Sequence, residues 1–130
     1  MIDIPASHAD MLERPLIVTL VTVMPDGQPQ ATPIWADVLD GKIRVNTVAG
    51  RQKDKNLRER LMATVLVIEP ENPYRWMEVR GKVVWESEGD DREVIEKLSQ
   101  DYVGQPYGSH NDADRRVTFH IAPERVVTGG

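Results

Sequence analysis

No cysteine occurs among the 130 residues. That removes disulfides, thiolate metal sites and cysteine nucleophiles together, and it suits the reducing cytoplasm, the expected location. Basic residues are outnumbered: 16 Lys and Arg against 21 Asp and Glu leave a net charge of −5. This is the wrong sign for a nucleic-acid binder, which normally carries a basic face. His8, His110 and His120 are scattered, and none falls at a metal-ligand spacing, so no metal is expected. The start of the chain lacks a signal-peptide pattern, because Asp3, His8 and Asp10 interrupt it before any apolar region forms. The longest apolar run, Leu16 to Val23, is far too short to span a bilayer, so no membrane partner is expected. With no repeat and no long linker, a single domain over residues 1–130 is expected, with a core of moderate size.

What is present is mostly strand. Pro5 to Leu12 predicts a short helix with Ser7 as a possible N-cap, closed by Pro15. Leu16 to Val23 is rich in β-branched residues and predicts a strand buried for most of its length. Pro25-Asp26-Gly27 supplies a tight turn into a return strand over Gln30 to Val38, where Pro33 marks an edge, a bulge or backbone left open for a ligand. Asp40-Gly41 turns the chain into a third strand, Lys42 to Thr47. A helix over Gln52 to Arg60 follows, then strands at Met62 to Ile68 and Trp76 to Trp85, the latter with Gly81 marking a bend or close approach. Asp90 and Asp91 open an amphipathic helix presenting Val94, Ile95, Leu98 and Tyr102 on one face, with Val103 a further candidate for it, stopped at Gly104. Gln105 to Asp114 is a polar loop, and Val117 to Ile121 a last strand that Arg125 to Val127 extends or pairs with. Six or so antiparallel strands with two substantive helices predict a mainly β, α+β architecture: a barrel with flanking helices, which leaves few strand edges to protect.

The stretch from Asn46 to Leu57 runs from a strand through a glycine turn into a helix, and it gathers charge against the acidic background. Arg51, Lys53, Lys55, Arg58 and Arg60 face only Asp54 and Glu59. A helix N-terminus with free N–H groups and two nearby cations suits an anion, most naturally a phosphate. The same charges also fit a helix face kept wet by solvent.

Taken in order, Thr22-Val23-Met24-Pro25-Asp26-Gly27-Gln28-Pro29-Gln30, Pro33-Ile34-Trp35, Asn46-Thr47 and Gly50-Arg51-Gln52-Lys53-Asp54-Lys55-Asn56-Leu57 resemble the split-barrel flavin and deazaflavin proteins. These include pyridoxamine 5′-phosphate oxidase and the actinobacterial oxidoreductases that use coenzyme F420. Asn72-Pro73-Tyr74-Arg75, Glu78-Val79-Arg80-Gly81-Lys82-Val83, Arg116-Val117 and Ile121-Ala122-Pro123-Glu124-Arg125-Val126 look like the deazaflavin branch, so the likeness runs from about Leu12 to Val126. The resemblance implies a split β-barrel, FMN-binding-like, of six to seven antiparallel strands, in a homodimer holding the cofactor at the subunit interface. It implies that Arg51 and Lys53 grip the cofactor phosphate, with Asn56 and Thr47 adding hydrogen bonds. Pro33, Ile34, Trp35 and Asn46 would line the tricyclic ring, and Trp76 of the second subunit would wall it. Lys55, Arg58 or Arg44 would screen an oligoglutamate tail. The Arg-Leu-x-Pro stretch that helps pyridoxamine phosphate oxidases hold the pyridoxal ring is not found at Val126 to Gly130, so that oxidation is not expected. The implied activity is hydride transfer from reduced F420 to an electron-poor conjugated small molecule of enone, quinone or tetrapyrrole type. The alternatives are an FMN-binding oxidoreductase of the same fold and a non-catalytic protein that binds or stores F420. Tyr107 and His110 are the candidate proton donors, with Tyr102 and solvent behind them. His8 is expected at the surface.

Overall fold

A computed structural model describes residues 1–87 and 89–130. The elements in chain order are α1 (Asp10–Glu13), β1 (Val18–Val23), β2 (Pro29–Ile34), β3 (Ala36–Leu39), β4 (Lys42–Val48), α2 (Gln52–Arg60), β5 (Met62–Ile68), β6 (Trp76–Glu86), α3 (Arg92–Val103) and β7 (Arg116–Gly129). All seven strands join one antiparallel sheet in the order β2-β1-β5-β6-β7-β4-β3.

That order contains the split. β2 and β3 are the two edges of the sheet, yet a single residue, Trp35, separates them along the chain. The sheet must therefore curl until its edges stand side by side, unjoined by ladder bonds. This is the expected split barrel, with seven strands. The single return strand over Gln30 to Val38 is in fact two strands with different partners: Pro33 pairs with Thr19 of β1, whereas Ala36 pairs with Val45 of β4. The break falls at Trp35. Pro33 keeps an edge position, where its missing N–H costs no ladder bond.

Alternation decides what is inside. In β1, Val18, Leu20 and Thr22 are buried while Thr19, Val21 and Val23 are half-buried, so only one face of this apolar strand enters the core. With Ile43, Val45, Val65, Met77, Phe119 and Ile121 it fills the barrel, and Leu57 packs α2 onto it. Gly81 is a forced glycine, since a Cβ there would lie 2.4 Å from Ala122 O and 2.7 Å from Ile121 Cγ2, beside the register shift between Arg80 and Gly81. β7 runs unbroken through Pro123 to Gly129, so the Arg125 to Val127 segment extends it.

Several local expectations are corrected. The first helix is only one turn, Asp10–Glu13, with Ala9 at its N-cap and no side-chain cap. Ser7 instead bonds His8 Nδ1 at 2.8 Å. His8 is buried, its Nε2 bonding Gly129 O at 3.0 Å across the closed ends of the chain. Likewise, α3 begins at Arg92, leaving Asp90 outside and Asp91 at the N-cap, and Val103 is exposed. Asp90 is occupied elsewhere, accepting the Arg116 N–H at 2.9 Å. Among the described residues no helix is long and apolar enough to cross a membrane.

Candidate active site: an open cationic cleft at the barrel split

The crossover at Trp35, the end of β4, the start of α2 and the start of β7 enclose a cleft of about 340 Å³. Its floor is Ile95 and Leu98 of α3, and one wall is Pro33, Ile34 and Trp35. Tyr102 fixes that floor to the wall. Its hydroxyl donates to Leu16 O at 2.6 Å and accepts the Ala36 N–H at 3.1 Å, while its ring stacks on Trp35 at 5.3 Å. Burial raises the Tyr102 pKa. Its proton is engaged with Leu16 O, and Tyr102 is not among the residues lining the cleft.

The opposite wall is polar. β4 ends at Val48, Gly50 adopts φ +93°, and its N–H is accepted by the fully buried Asp54 carboxylate at 2.7 Å. That bond closes the turn and sets the helix start, so that Arg51 at the N-cap and Lys53 within the first turn both reach the cleft. Arg58 neutralises Asp54, which leaves the pocket-facing cations without a buried acid to pair with. Lys53 Nζ donates only to Thr32 Oγ1, at 3.3 Å, and neither Arg51 nor Lys53 meets a carboxylate among the described residues. Burial lowers the Lys53 pKa, and Arg51 and Arg116 lower it further.

Thr47 lies 4 % exposed on the same wall, its Oγ1 without a hydrogen-bond partner among the described residues. A buried hydroxyl without a partner is costly. Together with cations that no acid balances, it matches what a phosphate-bearing group requires: an extra donor and positive charge at a helix start. The residues present therefore fit a phosphate-anchored cofactor.

The structure brings Pro33, Ile34, Trp35, Asn46, Thr47, Arg51, Lys53 and Tyr107 together on one cleft. It leaves out others. Asn56 is fully buried, its amide donating to Thr22 Oγ1 at 3.0 Å and its oxygen accepting from Gln52 and Arg60; it braces α2 and does not line the cleft. Trp76 lies against Gly129 at the far end of β6, away from its own chain's cleft. His110 bonds Glu96 and sits edge-on to Tyr107 at 5.0 Å, in a shallow depression beside the cleft. Among the cations named for a tail, Arg44 is bound to Asp37, and Arg58 to Asp54 and Glu86, so both are engaged. Lys55 is exposed. A second groove, of about 480 Å³, runs past Trp85 and His120; Asp91 and Glu93 line it with Lys42, and its Arg44 is paired with Asp37.

Arg116 is the residue that sequence reasoning did not single out. It lines the cleft at 7 % exposure, held by a bond from its Nε to Asn46 Oδ1 at 2.7 Å, with its guanidinium 5.5 Å from the Tyr107 ring centre. Asn46 is 70 residues away in the chain, and nothing local to Arg115-Arg116 marks one arginine as buried. Alternation gave no signal either, because Arg116, Val117, Thr118 and Phe119 are all buried and both faces of this part of β7 are covered.

The chain is similar to an F420 reductase at 32% identity, covering 95% of this chain and 98% of that one, with a TM-score of 0.86. It is similar to a conserved hypothetical protein from Mycobacterium tuberculosis at 26% identity over 99% and 86% of the two chains, with a TM-score of 0.71. The heme storage protein HutZ from Vibrio cholerae shares the fold, with a TM-score of 0.71 at 14% identity over 99% and 96%. A comparison with curated proteins finds no match. The fold is of the flavin and deazaflavin oxidoreductase type. The model of the pyridoxamine 5′-phosphate oxidase family matches residues 4–128, nearly the whole chain, and the protein belongs to that family.

Proposed function

We propose that this protein is an F420-dependent reductase, working as a homodimer, that reduces electron-poor conjugated compounds of enone, quinone or tetrapyrrole type. The observation that carries the reading is the convergence of Arg51 and Lys53, both free of acids among the described residues, with the partnerless Thr47 hydroxyl on one cleft. Similarity over nearly the full length to an F420 reductase supports the choice of cofactor.

In this reading Arg51 and Lys53 hold the phosphate, and Thr47 Oγ1 adds a hydrogen bond. The Pro33-Ile34-Trp35 wall offers an apolar face to a flat ring and keeps water from that side. The cleft is open opposite, so one ring face would stay wet in a monomer. A second subunit supplying Trp76 would close it, which is the reason for proposing a homodimer. A bound reduced deazaflavin supplies a hydride, and the carbon that replaces a flavin nitrogen disfavours one-electron and oxygen chemistry. The chain's own contribution is position, exclusion of water and a proton. Tyr107, which lines the cleft and touches Arg116, is the proposed proton donor, with His110 behind it.

Fluorescence titration of the purified protein with F420 and, separately, FMN tests the cofactor. Tight F420 binding is expected; tight FMN binding with none for F420 would reassign the protein to FMN. Stopped-flow oxidation of the bound reduced cofactor across enones, quinones and tetrapyrroles tests catalysis, and silence with every acceptor would point to F420 storage. Gel filtration should give a dimer.

A further inference from the structure

Arg44, Arg58 and Arg75 all reach carboxylates: Asp37, Asp54 and Asp10 respectively. Arg116, at 7 % exposure, meets none among the described residues and spends its Nε on the neutral Asn46 oxygen. A buried cation without a counter-ion is unfavourable unless a ligand supplies the negative charge. Arg51 and Lys53 already answer one phosphate. We propose that Arg116 determines acceptor specificity by binding a carboxylate on the conjugated substrate, at an anion subsite separate from the Arg51–Lys53 pair. This rests on the cofactor reading above.

Position separates the three cations. Arg51 and Lys53 border the cleft alone, whereas Arg116 also borders the adjoining depression formed with Ser109, His110 and Asn111 of the polar loop. It therefore stands between the phosphate end and the loop side, where an acceptor would enter. Its orientation is built in. Asn46 holds Nε, and Asn46 is itself held by Thr118 Oγ1 at 3.0 Å and Asp91 O at 3.2 Å. The Tyr107 ring packs against the guanidinium, which suits a planar fork meeting a planar carboxylate. Burial disfavours its charge most; Tyr107 and, less, Asp114 favour it, Arg51 disfavours it, and the balance leaves its pKa lowered.

The test uses cinnamate and methyl cinnamate, matched conjugated compounds that differ in the carboxylate, titrated calorimetrically into F420-loaded protein. The wild type should bind the acid at least about tenfold more tightly than the ester, the scale of one charge-assisted contact. Arg116→Met should erase that preference and weaken F420 by less than Lys53→Met does, while Lys53→Met should weaken F420 and keep the preference. Should Arg116→Met fail to fold, Arg116→Lys keeps the charge but loses the fork, and it should cut the preference severalfold. Equal or absent binding of the acid by wild type overturns the proposal. So does a preference that survives Arg116→Met, one that Arg116→Lys leaves undiminished, or an F420 affinity that Arg116→Met lowers as much as Lys53→Met does. Failure of F420 to bind the wild type would sink the cofactor reading and this one with it; normal F420 binding without acid preference sinks this one alone.

Discussion

Lys53→Met removes one charge and keeps an aliphatic stem of similar length, so packing against the cleft wall survives. In the free protein that charge is poorly placed. It is half-buried, its one side-chain hydrogen bond among the described residues goes to neutral Thr32 at 3.3 Å, and Arg51 and Arg116 lie near it. Solvent screens part of the repulsion, so the variant should match the wild type in stability or exceed it by up to about 1 kcal/mol. With a phosphate bound, the same ammonium makes a charge-assisted bond of roughly 1.5–3 kcal/mol. Losing it should weaken F420 binding about ten- to a hundredfold, at about 1.4 kcal/mol per decade. Stability and affinity thus move in opposite directions, which misfolding does not produce. Urea denaturation of the free protein and fluorescence titration with F420 measure the two. The pH dependence adds a third readout. The Lys53 pKa is lower folded than unfolded, so the unfolded chain holds more protons between the two values, and wild-type stability gains an increment as pH rises through that window. Lys53→Met lacks the increment. Unchanged affinity would put the phosphate elsewhere, and unchanged affinity with lowered stability would make Lys53 a strut between α2 and β2.

Gly81→Ala forces a Cβ to within 2.4 Å of a β7 carbonyl, and backbone cannot yield as a side chain can. It should destabilise by at least about 2 kcal/mol in denaturant titration. Asp37→Asn strips the partner from half-buried Arg44 and from Lys97, at a predicted cost of about 2–4 kcal/mol. Burial alone would raise the Asp37 pKa, but Arg44 and Lys97 outweigh it and hold the carboxyl below its ordinary range. Its contribution is therefore full above the unfolded Asp pKa and lost as pH falls through the depressed one, so the variant should show a shallower acid melt. Tyr102→Phe leaves Leu16 O and the Ala36 N–H without their shared partner and should lower stability by about 1–3 kcal/mol. Tyr107→Phe should instead leave the melt nearly unchanged and slow acceptor turnover; the reverse pattern would exchange the two roles.

Much of this protein was readable from local pattern. The bounds of α2 and β5 follow from turn, cap and alternation, which act over a few residues. The cluster of Arg51 and Lys53 past Gly50 was visible for the same reason: the glycine, the helix start and the cations are neighbours in the chain. What the chain order could not express is which strands meet. Trp35 looks like the middle of one strand, and only the sheet order makes it the crossing between two edges. Asn56 stands in the charged stretch but turns inward, because the barrel needs its amide to tie β1 to α2. Arg116 belongs to the site through Asn46, a partner 70 residues away. Sequence by itself determined the elements, the turns and the local charge, since those depend on near neighbours. The tertiary structure decided which cations are left without acids and which hydroxyl is left without a partner, since burial and pairing depend on contacts that only the closed sheet creates.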